Sequence, residues 1–126
     1  MERCVITVGL GVSLIIIGLG SALGAGDSQK GAQVFKAKCA ICHSVEAGKN
    51  KIGPSMAGVV GRKAGTVEGF HYSDANKNSG LTWDEATLDT YLTSPKDVVK
   101  GTTMAFPGIK DATERADLIA YLATVK

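Results

Sequence analysis

Cys39-Ala40-Ile41-Cys42-His43 puts two thiols and an imidazole into five consecutive residues. Three chemistries use such a cluster. Structural zinc requires four ligands, and outside this segment the chain offers only His71 and Cys4, with no second cysteine pair. A thioredoxin-like dithiol sits between a strand and a helix beside a sheet, and no strand of convincing length can be read from this chain. The spacing suits the third use, covalent attachment of haem c. At the end of a helix, thiols three residues apart reach the two vinyl groups on one edge of a porphyrin, and the next residue turns its imidazole under the iron.

Upstream, the periodicity predicts a helix from about Ser28 to Cys42, with Val34 and Phe35 facing inward and Lys30, Lys36 and Lys38 outward. Before it lies a run of 22 uncharged residues, Val5 to Gly26. As a helix this run would cover about 33 Å, against a hydrocarbon core of roughly 30 Å. It therefore reads either as a secretory signal or as a retained membrane anchor. Ala22, Gly24 and Ala25 form a small-residue cleavage site, and only two or three residues separate that site from the first helix. A redox domain tethered so tightly could hardly reorient between partners, so cleavage after Ala25 is the expectation, with residues 1–25 as leader and 26–126 as the domain. Either way the domain lies outside the cytoplasm, in the periplasm for a bacterial-style leader. Cys4 falls within the leader and has no assigned role.

The formal charge is +2, from 14 basic and 12 acidic side chains. Two haem propionates would about cancel it, so no global field points to nucleic acid, and a basic surface must be local.

Beyond the cysteine pair, Gly48 to Gly69 reads as loop, with Gly53-Pro54 as a turn and one short helix over Ser55 to Val60. A second short helix is predicted over Ser73 to Asn78. Thr82 and Glu85 form a capping box ahead of a helix from Trp83 to Thr93, which Ser94-Pro95 stops. Lys96 to Lys110 reads as irregular. Asp111 and Glu114 then open a last helix running to the C-terminus, with the apolar stripe Leu118, Tyr121, Leu122 and Val125. The fold expected is all-α, four to five short helices with long loops. About 100 residues with so much irregular backbone bury too little apolar surface unaided, and one flat, largely apolar porphyrin would complete the core.

The sixth iron ligand must come from farther along. His71, Met56 and Met104 are the candidates. Met104 lies in Gly101-Thr102-Thr103-Met104-Ala105-Phe106-Pro107, a loop stiffened by proline and braced by helices on both sides. Met56 follows a turn and reads as core filler, and His71 as a loop residue. His43 and Met104 are thus the expected metal ligands.

Together, Cys39-x-x-Cys42-His43, Gly53-Pro54, Tyr72-x-Asp74-Ala75-Asn76, Trp83, Gly101-Thr102-x-Met104 and Asp117-Leu118-Ile119-Ala120-Tyr121-Leu122 resemble the class I c-type cytochromes, the mitochondrial-type cytochromes c and bacterial cytochromes c2. The resemblance covers Lys30 to Lys126 and implies the cytochrome c fold. It implies that the Pro54 carbonyl accepts the His43 ring proton, and that Tyr72 and Trp83 bond a buried propionate with Arg62 nearby. Asn76, Tyr91 and Thr102 would surround an internal water on the methionine side. Gly31, Phe35, Leu118 and Tyr121 would form the crossing of the first and last helices. Asn50 stands where the family often has a histidine bridging two loops, which implies a weaker cross-link. Thr103 and Asp111 replace lysines common near the exposed edge.

Iron held from both faces has no open site, so the expected role is a soluble periplasmic single-electron carrier, not an enzyme. It would cycle one ferric/ferrous haem c between a bc1-type reductant and a photosynthetic reaction centre or terminal oxidase. A gas-binding sensor would leave the iron five-coordinate, and a peroxidase would need a distal acid–base group or a second haem. The resemblance places Lys38, Lys51, Lys96, Lys100 and Lys110 around the exposed haem edge of a monomer, as a patch for acidic redox partners.

Overall fold

The computed structural model describes residues 26–126. The leader, its cleavage and Cys4 lie outside the described residues. Five helices follow in chain order: α1 (Ser28–Lys38), α2 (Asp74–Lys77), α3 (Glu85–Thr93), α4 (Pro95–Val98) and α5 (Ala112–Leu122). Among the described residues the sole β contact is an isolated antiparallel bridge between Lys63 and Thr82, and no helix is long and apolar enough to cross a membrane.

The helix caps are local and readable. Asp27 accepts from the Gln29 and Lys30 amides at the start of α1, Ser73 from Asn76, and Asp111 from Glu114. At α3 the cap is Asp84, which accepts the Thr87 amide at 2.7 Å, and not the expected Thr82. Trp83 cannot join the helix because its amide donates to the Arg62 carbonyl and its carbonyl accepts from Gly61, an extended exchange that the Lys63–Thr82 bridge continues.

Three further expectations are corrected. Helix α1 stops at Lys38 and does not reach Cys42, because the Cys39 and Ala40 amides both turn to the Phe35 carbonyl and break the register. The cysteine segment is then a tight turn closed by Cys42 and His43 amides on the Cys39 carbonyl. No helix forms over 55–60, where Ser55 bonds the Glu46 carbonyl and Gly58 takes a positive φ. Within the stretch read as irregular, Pro95–Val98 forms α4, with Pro95 in the first turn, where its missing N–H costs nothing.

The core is one cluster. Leu118 is fully buried, and Phe35, Leu88, Tyr91, Leu92, Ile119 and Leu122 surround it. Helix α1 packs chiefly on α5, the first and last helices of the described residues against each other, with the Phe35 and Tyr121 rings 5.6 Å apart. Gly31 makes that approach possible. A Cβ there would collide with the Asp117 carbonyl on α5, so the helices touch backbone to backbone. Gly31→Ala should lower the unfolding free energy of the haem-loaded protein by roughly 1–3 kcal/mol through forced separation of α1 and α5. A shift of the urea midpoint at constant slope measures it, and an unchanged midpoint contradicts the close packing.

Candidate haem site

A cavity of about 420 Å³ opens between the cysteine turn, the 52–73 loop and the 102–106 loop. Its wall is mostly apolar, from Phe35, Leu88, Leu92 and Leu118 among others. Cys39, Cys42, His43 and Met104 all line it. So do Pro54, Arg62, Tyr72, Asn76, Trp83, Tyr91 and Thr102, so every site residue read from the sequence reaches one space. Ile41, Ile52, Phe70 and Phe106 line it too and were not singled out, since a lone apolar residue in a loop gives no periodic signal.

His43 is fixed from two sides. Its Nδ1 lies 2.8 Å from the Pro54 carbonyl oxygen, which can only accept, so Nδ1 carries the proton and Nε2 is left as an electron-pair donor. Gly53 lies so near the imidazole that any Cβ would strike the ring. Burial lowers the His43 pKa below 6.5; the bond to Pro54 raises it, and the charges of Lys51 and Arg62 lower it further. The ring is therefore neutral at physiological pH, the form that binds a metal.

Cys39 and Cys42 form no disulfide with each other. Burial pushes Cys39 up to about 11, with Lys38 pulling it down and Cys42 adding a smaller upward push.

Met104 is held by its surroundings. Its amide donates to Thr102 Oγ1 at 3.2 Å, and the Tyr91 hydroxyl lies 3.8 Å from its sulfur. Burial raises the Tyr91 pKa, partly offset by a hydrogen bond to Thr102. The far side of the same loop is clamped by Arg115. This nearly buried guanidinium donates to Asp89 at 2.8 Å and to the Ile109 and Lys110 carbonyls at 3.0 Å each. Arg115 and Asp89 were not read from the sequence. Arg115 sits three and four residues before Leu118 and Ile119, in phase with the apolar stripe, and that placement of a charge was the signal.

Two buried polar atoms on this cavity have no partner: Arg62 Nε and Asn76 Oδ1. The other Arg62 nitrogens donate to Ala57 and Ser55 carbonyls, and burial lowers its pKa. A half-buried guanidinium without a carboxylate is costly, of order 1–3 kcal/mol for an unmet bond. A ligand that is flat and apolar over most of its area and carboxylated at one edge answers the apolar wall and Arg62 together. A porphyrin with propionates fits these residues. Tyr72, read as a propionate contact, accepts the Val67 amide on its hydroxyl at 3.1 Å and packs edge-on against Phe70. The Trp83 and Tyr91 rings meet at a centroid distance of 4.6 Å, tilted by 50°.

Asn50 makes a cross-link where the resemblance implied a weaker one than histidine gives. Its Nδ2 donates to the Glu68 carbonyl at 3.1 Å and its Oδ1 accepts the Ser55 amide at 3.0 Å, so the amide joins the two loops beside Pro54 with bonds at both ends.

A small helical shell around one cavity, with two thiols and an oriented imidazole on its wall, defines a one-haem electron-transfer domain. The chain belongs to the cytochrome c family, whose sequence profile matches residues 28–126. It is 57% identical over 114 residues to cytochrome c2 of Rhodomicrobium vannielii, covering 90% of each chain. It is 56% identical to cytochrome c of Gibberella zeae, over 77% of this chain and 92% of that protein. Among solved structures, cytochrome cH from Methylobacterium extorquens superposes with a TM-score of 0.74 at 49% identity, over 79% of this chain and 99% of that one. The protein is thus an electron carrier with one covalently bound haem c, not an enzyme.

Asn50→Ala removes both of its bonds and should destabilise the haem-loaded protein by about 1–2 kcal/mol. Thermal unfolding checks it, and a loss near zero would show that the cross-link is idle.

Proposed function

We propose that Cys39 and Cys42 form the thioethers, that His43 Nε2 and Met104 Sδ are the iron ligands, and that the mature domain, residues 26–126 cut from its 1–25 leader, shuttles single electrons in the periplasm. The observation that carries this is the His43–Pro54 bond at 2.8 Å on the wall of the cavity that Met104 also lines. Bound haem supplies an iron that changes between ferric and ferrous, at a potential raised by thioether ligation and burial.

The protein's part is to hold that centre still. Pro54 and Gly53 leave the imidazole one orientation, and Thr102, Tyr91 and the Arg115 clamp leave the Met104 loop little freedom. With ligands that do not move between oxidation states, reorganisation is small. Arg62 supplies the positive charge against which carboxylates at the cavity edge are buried, and Tyr72, Trp83 and Asn76 close the polar end.

Relatives called cytochrome c2, together with the apolar leader, support export and a role between a bc1-type reductant and a reaction centre or terminal oxidase. Gly26 and Asp27 are built into the fold, which leaves no linker for a tethered carrier and supports cleavage. For docking, the five lysines differ. Lys38 pairs with Glu114 at 3.2 Å, Lys51 bonds the Ala40 carbonyl, and Lys110 bonds the Thr93 carbonyl at 2.6 Å. Lys96 and Lys100 are exposed and make no hydrogen bond or ion pair among the described residues. Beside Lys51, Ile41 and Ile52 are each 77% exposed on the cavity rim, an apolar centre for a small transient contact.

Met104→Ala should abolish the weak near-infrared band of ferric sulfur ligation and change the visible spectrum, whereas Met56→Ala should keep both. The reverse result would reassign the ligand. Association with an acidic redox partner should slow as salt rises, and Lys96→Glu with Lys100→Glu should slow it more than Lys38→Glu with Lys110→Glu. Rates indifferent to salt and to both pairs would remove the lysines from docking.

A further inference from the structure

Asp117 is a carboxylate buried in the middle of α5, where no helix terminus compensates it. Its Oδ1 accepts the Asp27 amide at 2.7 Å, and none of the three ion pairs among the described residues includes it. A buried carboxylate calls for a cation. The residue before Asp27 is Gly26, whose backbone lies against the Ala116 carbonyl and Asp117 amide so tightly that a Cβ would collide with both. Its nitrogen is one residue along the chain from the Asp27 amide that already bonds the carboxylate. The Asp27 carboxylate points elsewhere, to the Gln29 and Lys30 amides.

We infer that the ammonium created at Gly26 by leader removal is the missing partner of Asp117, so that cutting the Ala25–Gly26 bond completes the α1–α5 contact. This rests on the cleavage reading above. Hydrolysis breaks the bond between the Ala25 carbonyl carbon and the Gly26 nitrogen; one water gives its hydroxyl to Ala25 and a hydrogen to the nitrogen, which takes a solvent proton at neutral pH. In the precursor that nitrogen is a neutral amide, and Asp117 keeps only neutral donors. Glycine as the first mature residue follows from the same contact, since any side chain there would push the chain end off α5. The cut must also come before α1 settles on α5, because a protease needs the backbone around its bond extended and free, and Gly26 and Asp27 are packed once the helices dock.

Two measurements test this on the exported, haem-loaded protein. Intact mass and the N-terminal peptide should give a chain beginning at Gly26. A mass that still includes residues 1–25 would overturn the cleavage reading and the inference with it; a start at any other residue would overturn the inference alone. Four proteins then form a cycle: the natural start or one displaced by an inserted Ala-Ser-Ala ahead of Gly26, each with Asp117 or Asp117→Asn. Displacement should lower the folding equilibrium constant about 5–30-fold with Asp117 present and by no more than about 2-fold in Asp117→Asn. Equal effects in both backgrounds would refute the pairing and leave cleavage standing. Should Asp117→Asn fail to fold, acylation of the α-amine in the natural protein decides: several-fold slower in the folded than in the urea-unfolded state supports the pair, and equal rates refute it.

Discussion

The hydrogen bond from His43 Nδ1 to the Pro54 carbonyl is the contact on which the rest of the molecule depends. It ties the short turn carrying both cysteines to a loop that has no regular structure of its own, and so fixes the direction in which the imidazole offers its remaining lone pair. A proline carbonyl is well suited to this, because the ring restricts the backbone that presents it. The neighbouring residues serve the same end. Gly53 yields its side-chain space to the imidazole, Asn50 and Ser55 bind the loop on either side, and the Gly53 amide returns to the Cys42 carbonyl at 2.7 Å.

The methionine side is built differently. There the positioning comes from helices: Ile109 donates to the Leu92 carbonyl at 2.7 Å, Gly108 lies against the Thr93 carbonyl, and Arg115 joins α3, α5 and the loop end through three bonds. A nearly buried guanidinium with its bonds met is stable only because Asp89 and two carbonyls take the place of water. The two walls of the cavity are therefore independent constructions, one loop-based and one helix-based, that meet around the same space.

Those two constructions were unequally legible in the amino-acid sequence. The cysteine motif, the Met104 loop and the apolar stripe of α5 depend on spacing within a few residues, and each was readable as such. Helix ends were less so. Thr82 looked like a cap because Glu85 follows at the right interval, yet a tertiary exchange between Trp83 and the 61–62 backbone claims that segment and hands the cap to Asp84. Helix α4 was missed because Pro95 signals both the end of one helix and the first turn of another. At Asn50 the resemblance pointed to a bridging position, and the two-ended amide spans the loops there, a geometry that no local pattern encodes. Arg115, Asp89 and Asp117 act through partners 5 to 90 residues away, in pairings that no local pattern encodes.

The meeting of α1 with α5 bears on how fast this protein acquires its shape. Helical proteins usually fold quickly because their contacts are local. Here the principal helix pair joins opposite ends of the domain, with Asp27 and Asp117 separated by 90 positions. Closing such a loop costs roughly 4 kcal/mol of chain entropy before any packing is gained. The chain therefore combines helices of local origin with a helix pair whose closure spans nearly the whole domain. That closure adds an entropic cost that a bundle of sequential neighbours does not meet.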